Sequence, residues 1–133
     1  MSRRTLIAIA SALIALLLVG GSSTASVAKP RPPYKVSIYA SAATVAAGQE
    51  IVFTGKVRPH GPQARLGNVK LQVVYDPAIG FETSGLDEPN RYGTYAVSWS
   101  ANTPGTYQVR ARIAAGRNHR EGISRVLTVT VTP

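Results

Sequence analysis

Cysteine is absent from all 133 residues. No disulfide can form, no lipid can be attached at an export cleavage site, and no thiolate is on hand for catalysis. Disulfide-dense scaffolds are therefore excluded, and the core must hold the fold alone. Histidine is almost as scarce. His60 lies between Pro59 and Gly61, and His119 sits within Arg117-Asn118-His119-Arg120, so the two belong to separate loops. A zinc site needs three or four ligands at readable spacing, which this pair does not supply. No G-x-S-x-G elbow occurs, and no nucleophile stands beside an oriented base. The residues read as those of a non-enzyme with no cofactor and no metal centre. Acidic side chains number six against fifteen lysines and arginines, a formal net charge of +9. That balance favours contact with anionic polymers, though it also serves solubility alone.

Long apolar stretches are limited to one, Leu6 to Val19, broken only by Ser11 and placed directly behind Arg3 and Arg4. A basic start, an apolar run and a small-residue tail are the three parts of an export signal. As a helix the run would reach about 21 Å, short of a hydrocarbon core of about 30 Å. Gly20, Gly21, Ser22 and Ser23 end it, and Ser26-Val27-Ala28 offers small residues at both positions a signal peptidase reads. The expectation is a signal peptide over 1–28 cleaved after Ala28, with cleavage after Ala25 or retention as an anchor as alternatives. Ser2-Arg3-Arg4-Thr5-Leu6-Ile7 resembles a twin-arginine motif, but the strong hydrophobicity favours the general secretory route. The membrane then matters only during export. Without Arg3 and Arg4 the mature chain has thirteen basic against six acidic residues, +7.

Lys29-Pro30-Arg31-Pro32-Pro33 predicts a stiff extended lead-in over 29–34, a spacer ahead of one domain at 35–133. No stretch of that domain carries a helical period. Short β-branched and aromatic runs alternate instead with Gly, Pro, Asn and Asp, the spacing of an all-β sandwich. Strands are predicted over Lys35–Ala40, Glu50–Arg58, Val69–Tyr75, Tyr92–Ser100, Thr106–Ala114 and Ile123–Val131, with one short strand near Phe81–Ser84. Each alternates apolar with polar residues. Ile51, Phe53 and Val57 face one way on the second, and Tyr107, Val109, Ala111 and Ile113 on the sixth. Six or seven antiparallel strands with one buried face each make two packed sheets, in a register that a one-residue slip would destroy.

Several segments then resemble a known pattern. Val45-Ala46-Ala47-Gly48-Gln49-Glu50-Ile51-Val52-Phe53-Thr54-Gly55-Lys56-Val57 is similar to the opening V-x-x-G-x-x-V-x-F-x-G-x-V of bacterial immunoglobulin-like domains. Gly67-Asn68-Val69-Lys70-Leu71-Gln72 resembles their third strand, and Tyr92-Gly93-Thr94-Tyr95 and Pro104-Gly105-Thr106-Tyr107 their G-x-Y strand openings. Val126 to Val131 is similar to their last strand. The resemblance covers roughly Val36 to Val131. It departs between Asp76 and Arg91, where this chain has Phe81 in place of a frequent tryptophan. It implies an Ig-like antiparallel sandwich of about seven strands, with Tyr107 as a corner tyrosine and Trp99 in the core. Such folds serve adhesion, spacing and binding alike, so the implied role is a secreted or envelope-associated module with a structural or interaction function.

One surface feature points to a ligand. Lys70, Arg110 and Arg112 share outward parity on strands expected to be neighbours, and Arg117 and Arg120 follow in the next loop. Together they would form a cationic stripe suited to wall phosphates or acidic polysaccharide, with salt-dependent binding. The partner is then either an unknown protein or a cell-wall polymer. No aromatic platform is interleaved with these charges, so specific nucleic-acid binding is not expected. Asp76, Glu82, Asp87, Glu88 and Asn90 gather in one connection, and a calcium ion would want such oxygens, but their spacing matches no calcium loop.

Overall fold

The computed structural model describes residues 30–61 and 66–133. The expected signal peptide and its cleavage sites lie outside them. The described residues hold ten β-segments and no helix: β1 (Lys35–Val36), β2 (Tyr39–Ala40), β3 (Thr44–Ala46), β4 (Ile51–Arg58), β5 (Val69–Val74), β6 (Phe81–Asp87), β7 (Thr94–Trp99), β8 (Gly105–Ile113), β9 (Gly122–Ile123) and β10 (Leu127–Thr132).

Two sheets result. In the smaller, β4 is central, with β7 on one side and β1 and β2 on the other. In the larger, the order is β3-β10-β8-β5-β6, with β9 also paired to β8. The alternating strands turn their apolar sets inward: Ile51, Phe53 and Val57 from β4 face Leu71, Val73, Val109 and Ile113 from the other sheet, all 0% exposed. Trp99 is 5% exposed and makes edge-on contacts with Phe53 and Tyr107, ring centres 6.2 and 5.2 Å away. Its indole N–H donates to the Tyr75 hydroxyl at 2.8 Å, so burial leaves no polar atom unpaired. The Tyr107 ring is buried and its hydroxyl donates back to the Thr103 carbonyl, the corner arrangement expected of it.

Several expectations need correction. The first strand keeps one register along β4 from Lys35↔Arg58 to Ala40↔Phe53 but is interrupted at Ser37–Ile38. The connection from Asp76 to Arg91 holds a seven-residue strand, β6, paired along all of β5 and bulged opposite Leu71/Gln72. β3 was not expected at all. It runs parallel to β10, Thr44 beside Thr130, so the sandwich is not wholly antiparallel. The last strand divides into β9 and β10 because its register on β8 slips by one residue after Ser124. Residues 31–34 do not stand off as a spacer either. Tyr34 N–H bonds to the Arg120 carbonyl, Arg120 N–H to Pro32, and the Arg31 guanidinium reaches the Gly116 and Arg117 carbonyls.

Three serines maintain the ladder where strands depart from regular pairing. Ser37, Ser41 and Ser124 each donate a backbone N–H to the facing strand, to the carbonyls of Lys56, Val52 and Ala111. Each then accepts the N–H of that same facing residue on its own side-chain oxygen, at 2.9, 2.9 and 2.8 Å. The hydroxyl replaces the carbonyl that regular pairing would offer, so no buried donor is orphaned. At Ser37 the displaced carbonyl accepts the Tyr95 hydroxyl at 2.6 Å. That reach crosses β4 at Gly55, the register partner of Tyr95, where a Cβ would collide with the Ser37 carbonyl and the Tyr95 ring.

Candidate functional site

The larger sheet presents the cationic face read from the sequence. β5 and β8 are antiparallel neighbours with Lys70 opposite Arg112 and Gln72 opposite Arg110, so Lys70, Arg110 and Arg112 do share one face. Their charges are not equally available. Arg112 forms an ion pair with Glu121 at 2.6 Å and donates its Nε to the same carboxylate. Arg110 donates to the Gln72 side chain at 2.9 Å, and its guanidinium lies over the Phe81 ring, 4.0 Å from the centroid. Arg117 and Arg120 stand in the loop after β8. The Arg120 guanidinium is turned to the Arg31 carbonyl at 2.7 Å. The structure thus brings three of the five together and ties Arg120 to the lead-in.

A second basic cluster escaped the sequence reading. Lys35 and Arg58 are register partners, and Lys56 lies two residues back along β4. With Val36, Ser37 and Tyr39 they line a groove of about 310 Å³ on the smaller sheet. The sequence signal was faint: the outward parity of Lys56 and Arg58 was legible, but the third charge comes from another strand. A further cleft of about 480 Å³, between Val74, Tyr75, Phe81, Thr106 and Gln108, lies at the end of the larger sheet.

The acidic connection has other work. Asp76 accepts the Ala78 N–H, a local turn contact. Asp87 accepts the Ala96 N–H at 2.8 Å, and Asn90 accepts those of Tyr92 and Thr94, so both occupy donors along the free edge of β7. This blunts an edge that could otherwise pair with another chain. Among the described residues no three of His, Cys, Asp or Glu gather to hold a metal. His119 is not simply solvated. It is half-buried and stacks on Tyr34 with ring centres 4.9 Å apart, while His60 is exposed.

The sheet order, the corner tyrosine and the tryptophan packed between the sheets define an immunoglobulin-like fold. No protein-family model matches the sequence, and no curated protein does. Among solved structures the chain is similar to the superoxide reductase (neelaredoxin) from Ignicoccus hospitalis, at 13% identity and TM-score 0.52, covering 76% of this chain and 81% of that one. The PKD domain of human KIAA0319 aligns at 17% identity and TM-score 0.49, over 81% and 90% of the two chains. The PKD domain of an M14-like peptidase from a Thermoplasmatales archaeon aligns at 20% and 0.45, over 80% and 100%. At such identities the likeness is one of fold alone.

Proposed function

We propose that the protein is a non-catalytic Ig-like module, exported to the cell envelope or beyond, with a structural or interaction role. What supports this most is how four of its chemically capable side chains are used. His119 is stacked on Tyr34, Asp76 and Asp87 hold backbone N–H groups, and Glu121 is paired with Arg112. They are employed in keeping the sandwich together, which leaves a rigid scaffold for display. The export-signal pattern read over 1–28 supports the location.

A second reading has its own support in the β5–β8 register: the module binds an anionic wall polymer or polysaccharide through Lys70, Arg110 and Arg112, with Arg117 and Arg120 beside them. Retention of the purified protein on cell-wall fractions across a salt series separates the two. Capture by a protein partner persists as salt rises, whereas capture by polymer decays. The combined Lys70→Gln, Arg110→Gln, Arg112→Gln variant should lose retention and salt dependence under the second reading only. No retention of the parent in low salt would remove the polymer-binding reading, and a chain found wholly inside the cells of an exporting bacterium would remove the proposed location.

A further inference from the structure

We propose that the groove on the smaller sheet is a binding site for an acidic sugar polymer, separate from the face of the larger sheet. Lys35 and Arg58 sit directly opposite each other, and Lys56 shares their face. Like charges directly opposite across a strand pair destabilise it, so the arrangement carries a cost that a bound anion would relieve. Among the described residues no carboxylate pairs with them. All six carboxylate side chains of the chain are among the described residues, and the ion pair formed there is Arg112 with Glu121. The contrast with the larger sheet is direct, since Arg112 has its acid and Arg110 its amide and ring.

The sugar part of the proposal rests on Tyr39. It lines the same groove, 58% exposed, on a strand whose neighbour Ile38 is fully buried. Its position is braced. Arg125 donates to the Ile38 carbonyl at 3.1 Å and places its guanidinium 5.6 Å from the Tyr39 ring centre, which adds a fourth cation at the margin. An exposed ring fixed beside three unpaired cations matches a pyranose that carries carboxylate, sulfate or phosphate: the apolar sugar face on the ring, the oxyanion on Lys35, Lys56 and Arg58. A bare polyanion would use the charges and leave the ring idle.

The test titrates the purified protein with oligogalacturonate and with sulfated dextran, beside neutral dextran and polyglutamate. Both acidic sugars should bind more tightly than polyglutamate, and neutral dextran should not bind. The combined Lys35→Gln, Lys56→Gln, Arg58→Gln variant should lose affinity for the acidic sugars by about tenfold, each charge contributing a factor of about two. Its salt dependence should be shallower. Tyr39→Ala should weaken acidic-sugar binding and spare polyglutamate. The groove variant should lose the same factor of acidic-sugar affinity when it is built into the larger-sheet triple variant, which separates this site from the polymer-binding reading above. An unchanged melt for each variant shows that the fold survives. No binding of either acidic sugar, full binding by the groove variant, or polyglutamate binding equally well with no effect of Tyr39→Ala would each overturn the proposal.

Discussion

Replacing Ser124 with alanine isolates the cost of one unpaired backbone donor. Ser124 is buried at 7% exposure, and its Oγ accepts the N–H of Ala111, a residue with no exposure at all. The same hydroxyl donates to the Arg125 carbonyl at 2.8 Å, where the strand slips register. Alanine keeps the backbone bond from residue 124 to the Ala111 carbonyl but offers no acceptor, and the packed interior leaves Ala111 N–H without water. A buried donor left unsatisfied costs about 1–3 kcal/mol. In a domain near 100 residues each kcal/mol lowers Tm by roughly 4–8 °C. Ser41→Ala removes the same contact at an exposed site, where water replaces the hydroxyl, and should cost about 0.5 kcal/mol or less. Ser37 is part-buried, so Ser37→Ala should fall between. Urea unfolding at constant m-value measures all three. A Ser41→Ala loss equal to that of Ser124→Ala, or no shift in midpoint for Ser124→Ala, would refute the reasoning.

Burial pushes the Tyr95 hydroxyl well above its ordinary pKa of 10.0. Its proton is therefore held more tightly in the folded chain. The stability this contributes is complete below about pH 10 and is lost as pH rises beyond it, because the unfolded tyrosine ionises first. Tyr95→Phe should cost about 1 kcal/mol near neutrality and flatten the alkaline decline, both visible in urea midpoints from pH 8 to 11. Gly55→Ala should cost about 3 kcal/mol or more, since the new methyl meets the Ser37 carbonyl and the Tyr95 ring; thermal melts measure it. Trp99→Ala should cost about 3–5 kcal/mol. In the parent, Trp99 emission should be blue-shifted and move to the red on unfolding.

Alternation alone made the long strands legible. Ile51, Phe53 and Val57, or Val109, Ala111 and Ile113, have to face inward together, and a one-residue slip would expose them all. β3 was hidden because Thr44-Val45-Ala46 is only three residues long, and its place depends on a parallel partner at Thr130–Thr132, more than eighty residues away. β6 was underestimated because Glu82, Thr83, Ser84 and Asp87 look like a polar connection. They are strand residues because β5 offers a full edge to pair with. The lead-in was misjudged for a similar reason. Prolines fix local geometry, but the docking of Pro32 and Tyr34 onto Arg120 is a tertiary matter. The site was half legible. Lys70, Arg110 and Arg112 share parity in the sequence, whereas the acid that neutralises Arg112 lies in a loop and declares itself only in three dimensions.

The two basic faces therefore differ in kind although they look alike in composition. On the larger sheet the arginines are held: Glu121 reduces the net charge, and the Phe81 ring and Gln72 amide fix a guanidinium that would otherwise be mobile. Exposed pairs of this sort contribute little to stability, but they lower the potential felt by an arriving anion. On the smaller sheet Lys35, Lys56 and Arg58 share a face and none of the chain's carboxylate side chains forms an ion pair with them, and the register that sets Lys35 against Arg58 is the one the buried Val57 and Ile38 require. Core packing thus enforces a like-charge contact that an isolated strand pair would avoid. The three charges at that groove are the ones left without a neutralising acid on a shared face, and the groove variant, compared with the larger-sheet variant in low salt, measures how much of the attraction for an anion they carry.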